Sequence, residues 1–320
     1  MLEIPIGQHR APPIRRAASV AVVILTFNEE IHIARAIESV REIASDILVV
    51  DSYSTDSTVT IAEAAGARVV QHPFVNQSQQ FNWALASGAV VGDWILRLDA
   101  DEIIEADLRE NIRAFLADAP ADVVAVNFRR KHIFMGRWIR HGGRYPLVLL
   151  RLWRNGHARV EDRWMDEHVV AWGGRTITLK GGFADASLHD LGRFVDKHNR
   201  YATREAVEVL CRKLAIPISD PAERLSGQAR RKRLLKELLF NRMPFYIGPV
   251  LYFLFRYVVQ LGFLDGRPGL IYHLLQGFWY RLLVGAKVIE LEQGLAGCAT
   301  ATERLRRLRQ LTGLQIVAHR

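Results

Sequence analysis

The stretch Trp94-Ile-Leu-Arg-Leu-Asp-Ala-Asp-Glu102 decides how this chain is read. A short apolar run ends in two aspartates spaced one apart, Asp99 and Asp101. Such a run, bounded by polar residues, predicts a buried strand. Alternate residues at a strand's carboxyl end project to the same side. Two carboxylates converging there repel unless a cation sits between them, and a hard divalent ion carrying phosphate oxygens is the natural occupant. A plain Asp-Ala-Asp surface turn is the competing reading of this piece alone.

Two upstream segments repeat the pattern. Val20-Ala-Val-Val-Ile-Leu-Thr-Phe-Asn-Glu-Glu30 and Asp46-Ile-Leu-Val-Val-Asp-Ser-Tyr-Ser-Thr-Asp-Ser-Thr58 each run from apolar, β-branched residues into polar ones and then a helical pattern. In an open α/β sheet, ligands bind in the crevice beyond the carboxyl ends of the strands. The three predicted strands aim Thr26, Asn28, Glu29, Asp51, Asp99 and Asp101 at one crevice. The order Thr-Phe-Asn-Glu, Val-Val-Asp-Ser, Asp-Ala-Asp-Glu resembles the family 2 inverting glycosyltransferases, over roughly residues 19–200. The resemblance implies a GT-A fold: an α/β, Rossmann-like, mostly parallel sheet with helices on both faces.

Strand candidates are 20–25, 46–50, 68–71, 94–98 and 123–128, with helical stretches near 29–41, 56–65, 78–88 and 105–117. This alternation predicts parallel pairing with right-handed crossovers. Ser54 or Thr55 is expected to cap the second helix, with Asp56 in its first turn. Residues 129–192 carry glycine pairs and aromatics and read as strands and loops around a site. Residues 193–213 read as helix. The domain reading is a loose tail over 1–18, a catalytic domain over 19–215 and a basic, apolar helical region over 216–320.

At 320 residues with 49% hydrophobic and 24% charged content, the chain can bury a full core. The two cysteines, Cys211 and Cys298, are far apart, which speaks against a disulfide framework or zinc site and for a reducing compartment. The opening segment, Met1 to Arg16, lacks an apolar core of signal-peptide length, so the catalytic part is expected in the cytoplasm. The net charge of +9 is lopsided: residues 224–320 hold 16 Lys/Arg against 5 Asp/Glu. These basic residues flank apolar runs, which points to an anionic membrane surface and not to nucleic acid. Phe245 to Leu264 and Leu270 to Ile289 are each long enough to span a bilayer. Arg256 near mid-span costs roughly 2.5–3.5 kcal/mol on insertion scales. Helices lying in the interface, or a shallow hairpin turning at Asp265-Gly-Arg-Pro-Gly269, are therefore expected. A helical subdomain buried against the catalytic domain is the soluble alternative.

The family resemblance also implies roles. Asp101 ligates a divalent cation (Mg2+ or Mn2+), and Asp99 contacts the metal or the ribose. Asp51 accepts from the base, most often uracil. Thr26, Asn28 and Glu29 line the nucleotide-sugar pocket. Gln79, with Gln80 and Asn82, matches a region that contacts the nucleotide, and helix capping is their alternative. His189 completes the metal shell or touches the diphosphate, and the Lys197-His-Asn-Arg-Tyr201 cluster offers cations for phosphate. The catalytic base falls in Glu161-Asp-Arg-Trp-Met-Asp-Glu-His168, with Glu167 first and Asp166 next. The implied partners are a nucleotide-sugar donor, UDP-linked by the resemblance, and a lipid-linked saccharide or lipopolysaccharide acceptor. The implied location is the cytoplasmic face of a bacterial inner membrane, as a peripheral or monotopic protein. A sugar nucleotidyltransferase would need a Gly-rich, Arg-containing loop after the first strand. A dinucleotide oxidoreductase would need Gly-x-Gly-x-x-Gly there. Neither loop is present. A non-catalytic membrane scaffold with a transferase-like domain is disfavoured by the intact acidic residues.

Overall fold

The computed structural model describes residues 18–161, 168–216 and 245–316. Strand β1 (Val20–Thr26) is almost wholly buried and lies between β2 (Asp46–Asp51) and β4 (Trp94–Asp99), parallel to both. A strand covered on both faces must be apolar throughout, which is why β1 reads as a continuous run. The edge on this side is β3 (Arg68–Gln71), also parallel. Thr26 is level with Asp51, and Leu25 with Asp99, so the three strand ends finish together.

Helices cover both faces. Helix α1 (Ile33–Val40) buries Ile33, Ala36, Ile37 and Val40, the i, i+3, i+4, i+7 stripe of an amphipathic helix. It shares a core with α4 (Ala106–Ala117), which contributes Leu108, Ile112 and Leu116, and with Ala62 of α2 (Thr58–Ala64). Helix α3 (Gln77–Ala86) brings Phe81 and Ala84 to the opposite face, where they join Val23, Leu48 and Ile95. Odd and even positions of the same strands feed the two cores, as the pleat requires.

The other half of the sheet departs from the mostly parallel expectation. Its order is β3-β2-β1-β4-β8-β6-β11-β5, where β5 is Glu102–Ile104, β6 Val123–Phe134, β8 Leu147–Arg154 and β11 Arg175–Asp185. Strand β8 is antiparallel to both β4 and β6, while β11 is parallel to β6 and antiparallel to β5. The sheet is therefore mixed. The chain leaves β6, forms a short hairpin with β7 (Arg137–Trp138) and returns directly into β8, a connection that needs no crossover helix. Because β8 reverses direction, β6 and β11 again run with β1, β2 and β4. Their carboxyl ends, His132 and Asp185, therefore face the same edge of the sheet and lie level with each other.

After α5 (Leu191–Lys213), a run of helices over 247–312 packs on the same side. Ala202, Ala206 and Leu210 of α5 share a core with Tyr280, Val284, Leu291 and Leu308. The predicted turn at 265–269 falls slightly earlier. Leu261 adopts a left-handed conformation, Gly262–Asp265 form a 3-10 turn, and Pro268 already sits in the first turn of the next helix, where a missing N–H is harmless. Among the described residues no single helix is long and apolar enough to cross a membrane. Segments Ile247–Val259 and Gly262–Gly294 meet that test only together, bent by 72°.

Candidate active site

At the end of β1, the Thr26 hydroxyl donates to Asp51 Oδ1 at 3.0 Å. Asp51 is fully buried and also accepts the Ser54 N–H at 2.8 Å, the Ser54 hydroxyl, and the Gln71 amide at 3.2 Å. Ser54 Oγ in turn accepts the Asn28 N–H at 2.8 Å, and Asn28 Oδ1 accepts the Thr55 N–H at 2.8 Å. Glu29 N–H donates to Thr58 Oγ1 at 2.7 Å. The loops after β1 and β2 are thus stitched into one wall.

Ser54 is not the expected helix cap. The N-cap residue of α2 is Ser57, without a side-chain cap bond, because the Ser54 hydroxyl is spent between Asp51 and Asn28. A ligand donor can reach Asp51 only by displacing Gln71 or the Ser54 hydroxyl. Asn28 (φ 55°) and Tyr53 (φ 59°) both sit in the left-handed region, and Tyr53 is 52% exposed. A bulky residue held there is strained, a condition that clusters at ligand sites. Sequence reasoning missed Tyr53, since nothing in the string Ser-Tyr-Ser signals a positive φ.

The Asp99/Asp101 pair divides its roles. Asp99 Oδ2 accepts from Arg151 at 3.3 Å, and Oδ1 lies 3.6 Å from Arg97 Nε. Burial works against the Asp99 charge, but Arg151 and Arg97 together outweigh it and hold the carboxyl well below its usual range. Two guanidinium groups thus compensate its charge. Buried Glu102 accepts from Arg151 at 2.6 Å and from the Asp99 N–H at 3.0 Å, and burial raises it to about 8. Of these partners Glu102 closes the Asp-Ala-Asp-Glu motif, while Arg97 and Arg151 were not legible as part of the site: Arg97 sits inside a strand that reads as apolar, and Arg151 in a stretch read only as strands and loops.

Asp101 is the opposite case. Burial raises it to about 6, with further contributions from the nearby charges of Asp185, Asp99 and Glu29 that Lys197 only partly offsets. A carboxylate crowded by carboxylates is a cation site by chemistry. Glu29, His32 and His189 add ligand-type atoms within 4.8 Å of one another. His32 is committed, however. Its Nε2 accepts the Leu188 N–H at 2.8 Å, so the proton is on Nδ1, which donates to Glu29. His32 therefore orients Glu29 and stands edge-on to the His189 ring, 4.7 Å between centroids. Burial keeps the His189 pKa low, favouring the neutral imidazole a metal needs. Among the described residues the ligand-type atoms that come together are those of Glu29, His32 and His189; Asp101 lies outside that group, close enough for its charge and that of Glu29 to act on each other.

Beyond Asp101, Asp185 accepts from His132 Nδ1 at 3.0 Å and lies 3.5 Å from Arg130. Burial opposes its charge, but His132, Arg130 and Lys197 hold it at about 2. Lys197 is exposed on α5, next to Asp101 and Asp185, so one member of the predicted basic cluster does face the crevice.

Other expectations change. Gln80 is buried between His72 and Ser52, and the Asn82 amide exchanges hydrogen bonds with the Val160 backbone, so both brace the scaffold. Gln79 is exposed in the first turn of α3, and its N–H is capped by Asn76 Oδ1 at 2.7 Å. Glu167 and Asp166, with Asp162, lie outside the described residues. Glu161 is described, on the lip of a small two-stranded sheet of β9 (Ala158–Val160) and β10 (Val169–Ala171).

The profile described as Glycosyl transferase family 2 matches residues 21–184, half of the chain and all of the strands that build this crevice except the last residue of β11 and β1's first. The chain belongs to glycosyltransferase family 2. An uncharacterized glycosyltransferase of Rickettsia felis is 42% identical to this family 2 chain over 103 residues, 32% of this chain and 36% of that protein. The lipopolysaccharide core biosynthesis glycosyltransferase LpsC of Rhizobium meliloti is 28% identical over 189 residues, 57% of this chain and 68% of that protein. The matched region spans about a third of the length of the curated Rickettsia relatives. Among solved structures, glucosyl-3-phosphoglycerate synthase of Mycobacterium tuberculosis is 26% identical, with 36% of this chain and 44% of that chain covered and a TM-score of 0.30.

Proposed function

We propose that this family 2 chain is an inverting glycosyltransferase that moves a sugar from a nucleotide donor, UDP-linked, to a lipid-linked saccharide or lipopolysaccharide acceptor. The observation that carries the reading is the level ending of β1, β2 and β4, which sets a hydrogen-bonding wall beside an acidic centre whose charge is only partly offset. The wall of Thr26, Asn28, Ser54 and Asp51 suits a nucleoside, with Tyr53 as its stacking face. Gln79, exposed on α3, serves in this reading as a peripheral contact. Asp101, Glu29 and His189 would hold a divalent cation, which neutralises charge on a diphosphate when bound.

Transfer with inversion is a single displacement. The acceptor hydroxyl oxygen forms the new bond to the anomeric carbon as the bond to the nucleotide diphosphate breaks. The hydroxyl proton passes to a carboxylate, and the bonding pair leaves on the diphosphate. Glu167, with Asp166 as the alternative, is the proposed base. Lys197 and Arg35 flank the acidic centre and orient anionic oxygens. The acceptor assignment draws support from the name of the LpsC relative and from the apolar helices packed beside His132 and Asp185. It goes with attachment to the cytoplasmic face of a bacterial inner membrane.

The test is a panel of nucleotide sugars, scored for thermal protection and for nucleoside diphosphate release, with Mg2+, Mn2+ or EDTA. A donor at about 100 times its Kd adds roughly 2.7 kcal/mol of stability. Protection by one UDP-sugar, dependent on the cation, is expected. No protection by any nucleotide sugar would overturn the reading.

A further inference from the structure

The helix over 247–259 is amphipathic in the wrong sense for water. Ile247, Val250, Leu251, Leu254, Phe255 and Val258 follow helical spacing and are all exposed. The face turned toward the rest of the protein carries Gly248, Pro249 and the charged Arg256. A water-facing helix shows the reverse pattern. Single exposed apolar residues need no explanation, but a contiguous apolar face marks a docking surface. The face continues through the turn, where Val259 is 67% exposed and Leu261, Phe263 and Leu264 are about half exposed.

Arg256 shows what the inversion achieves. Its Nε donates to the Gly142 carbonyl at 2.7 Å, and the guanidinium stacks near the Tyr252 and Tyr272 rings. The charge that made this stretch a poor membrane segment by sequence is withdrawn into the protein. Asp265, the acid nearest the apolar ridge in sequence, is withdrawn as well, buried and bonded to His141 at 2.7 Å. Exposed cations remain at the rim. Arg137 and Arg140 line a shallow cleft of about 450 Å³ with Trp138 and Leu264, and Arg267 is exposed three residues beyond Leu264.

We propose that this face lies flat in the interface of an anionic phospholipid bilayer, with Arg137, Arg140 and Arg267 taking lipid phosphates at its edge. An apolar face bordered by arginines, with its acid turned away, complements an anionic interface. The 72° bend after Val259 and the lack of a single spanning helix among the described residues suit a chain that rests in the interface. The inference rests on the acceptor proposal and deepens it, because Tyr272, one helix away, stands 4.9 Å from the His132 ring at the edge of the crevice.

The experiment is co-sedimentation of the full chain with vesicles of phosphatidylcholine alone or mixed with phosphatidylglycerol. The variants are V258E/L264E and R137Q/R140Q, both at exposed positions outside the crevice. Wild type is expected to pellet with mixed vesicles and less with neutral ones. V258E/L264E is expected to lose bound fraction by about tenfold or more. R137Q/R140Q is expected to lose the preference for the anionic lipid. Wild-type binding by V258E/L264E would overturn the proposal, as would a wild type that stays in solution with both vesicles. So would a lipid-free dimer that V258E/L264E breaks, because the face would then belong to a second copy. UDP-induced thermal protection is read on every variant. Its absence in wild type counts against the transferase reading, while its retention in V258E/L264E shows an intact fold and isolates the docking face.

Discussion

Arg151→Met tests the buried network that holds Asp99 in place. The guanidinium bridges Glu102 at 2.6 Å and Asp99 at 3.3 Å, and Glu102 is 1% exposed. Methionine fills most of the volume and removes the charge, leaving two carboxylates behind. Asp99 keeps Arg97 at 3.6 Å, but Glu102 keeps only the Asp99 N–H. Breaking a buried ion pair from one side costs about 3–5 kcal/mol when the remaining charge cannot escape. Here it can escape by protonation. Burial already raises Glu102 to about 8 from 4.5, so its neutral form is favoured in the native state. A carboxyl with a raised native pKa contributes most to stability below its unfolded value and loses that contribution as pH rises through the native one. At pH 6 Glu102 is neutral with or without Arg151, and the loss is confined to the charged bond to Asp99, about 2 kcal/mol. At pH 9 the wild-type Glu102 is ionised against Arg151, while the variant's, deprived of the cation that lowers its pKa, stays protonated at a cost of about 1.4 kcal/mol per pH unit above the wild-type value, so the loss reaches about 3–4 kcal/mol. Urea unfolding followed by fluorescence of the buried Trp94 and Trp153 reads both values. Glu102→Gln is the control and is expected to change little at pH 6. An equal loss at both pH values would refute the protonation argument, and a loss under about 1 kcal/mol at pH 9 would refute the ion pair itself.

Three further outcomes are expected. Asp101→Asn should abolish transfer and cation-dependent protection by UDP-sugars. In the absence of cation it should raise stability above pH 7, because a carboxyl raised to about 6 loses its contribution as pH climbs through that value; a less stable apo variant at pH 8 would show that Lys197 and Arg35 pair with it instead. Glu167→Gln should lower turnover by about 10²–10⁴-fold with little change in donor affinity, and full activity in both it and Asp166→Asn would move the base elsewhere. Ser54→Ala removes the hydroxyl between Asp51 and Asn28 and should cost about 1–3 kcal/mol of stability together with donor affinity, as read by calorimetry and titration with UDP.

The alternation of apolar strand and amphipathic helix through Leu116, and the ending of three strands at Thr26, Asp51 and Asp99, were legible because periodicity is a local property that burial imposes on neighbouring residues. The acids Asp51, Asp99 and Asp101 were legible for the same reason, since a strand end is where an apolar run stops, while Asp185 was not. Nor was what each acid does. Asp99 and Asp101 are two residues apart and chemically alike, yet one faces Arg97 and Arg151 and the other faces Asp185 and Glu29. Those partners arrive from strands and a loop up to 84 positions away, along pairings no local pattern encodes. The reversal of β8 was hidden likewise, since a strand's direction depends on its connection and not on its composition. The inward turn of Arg256 is the plainest case. Sequence establishes that a charge interrupts an apolar run, and only packing against Gly142 and Tyr272 decides that the charge leaves the apolar face intact.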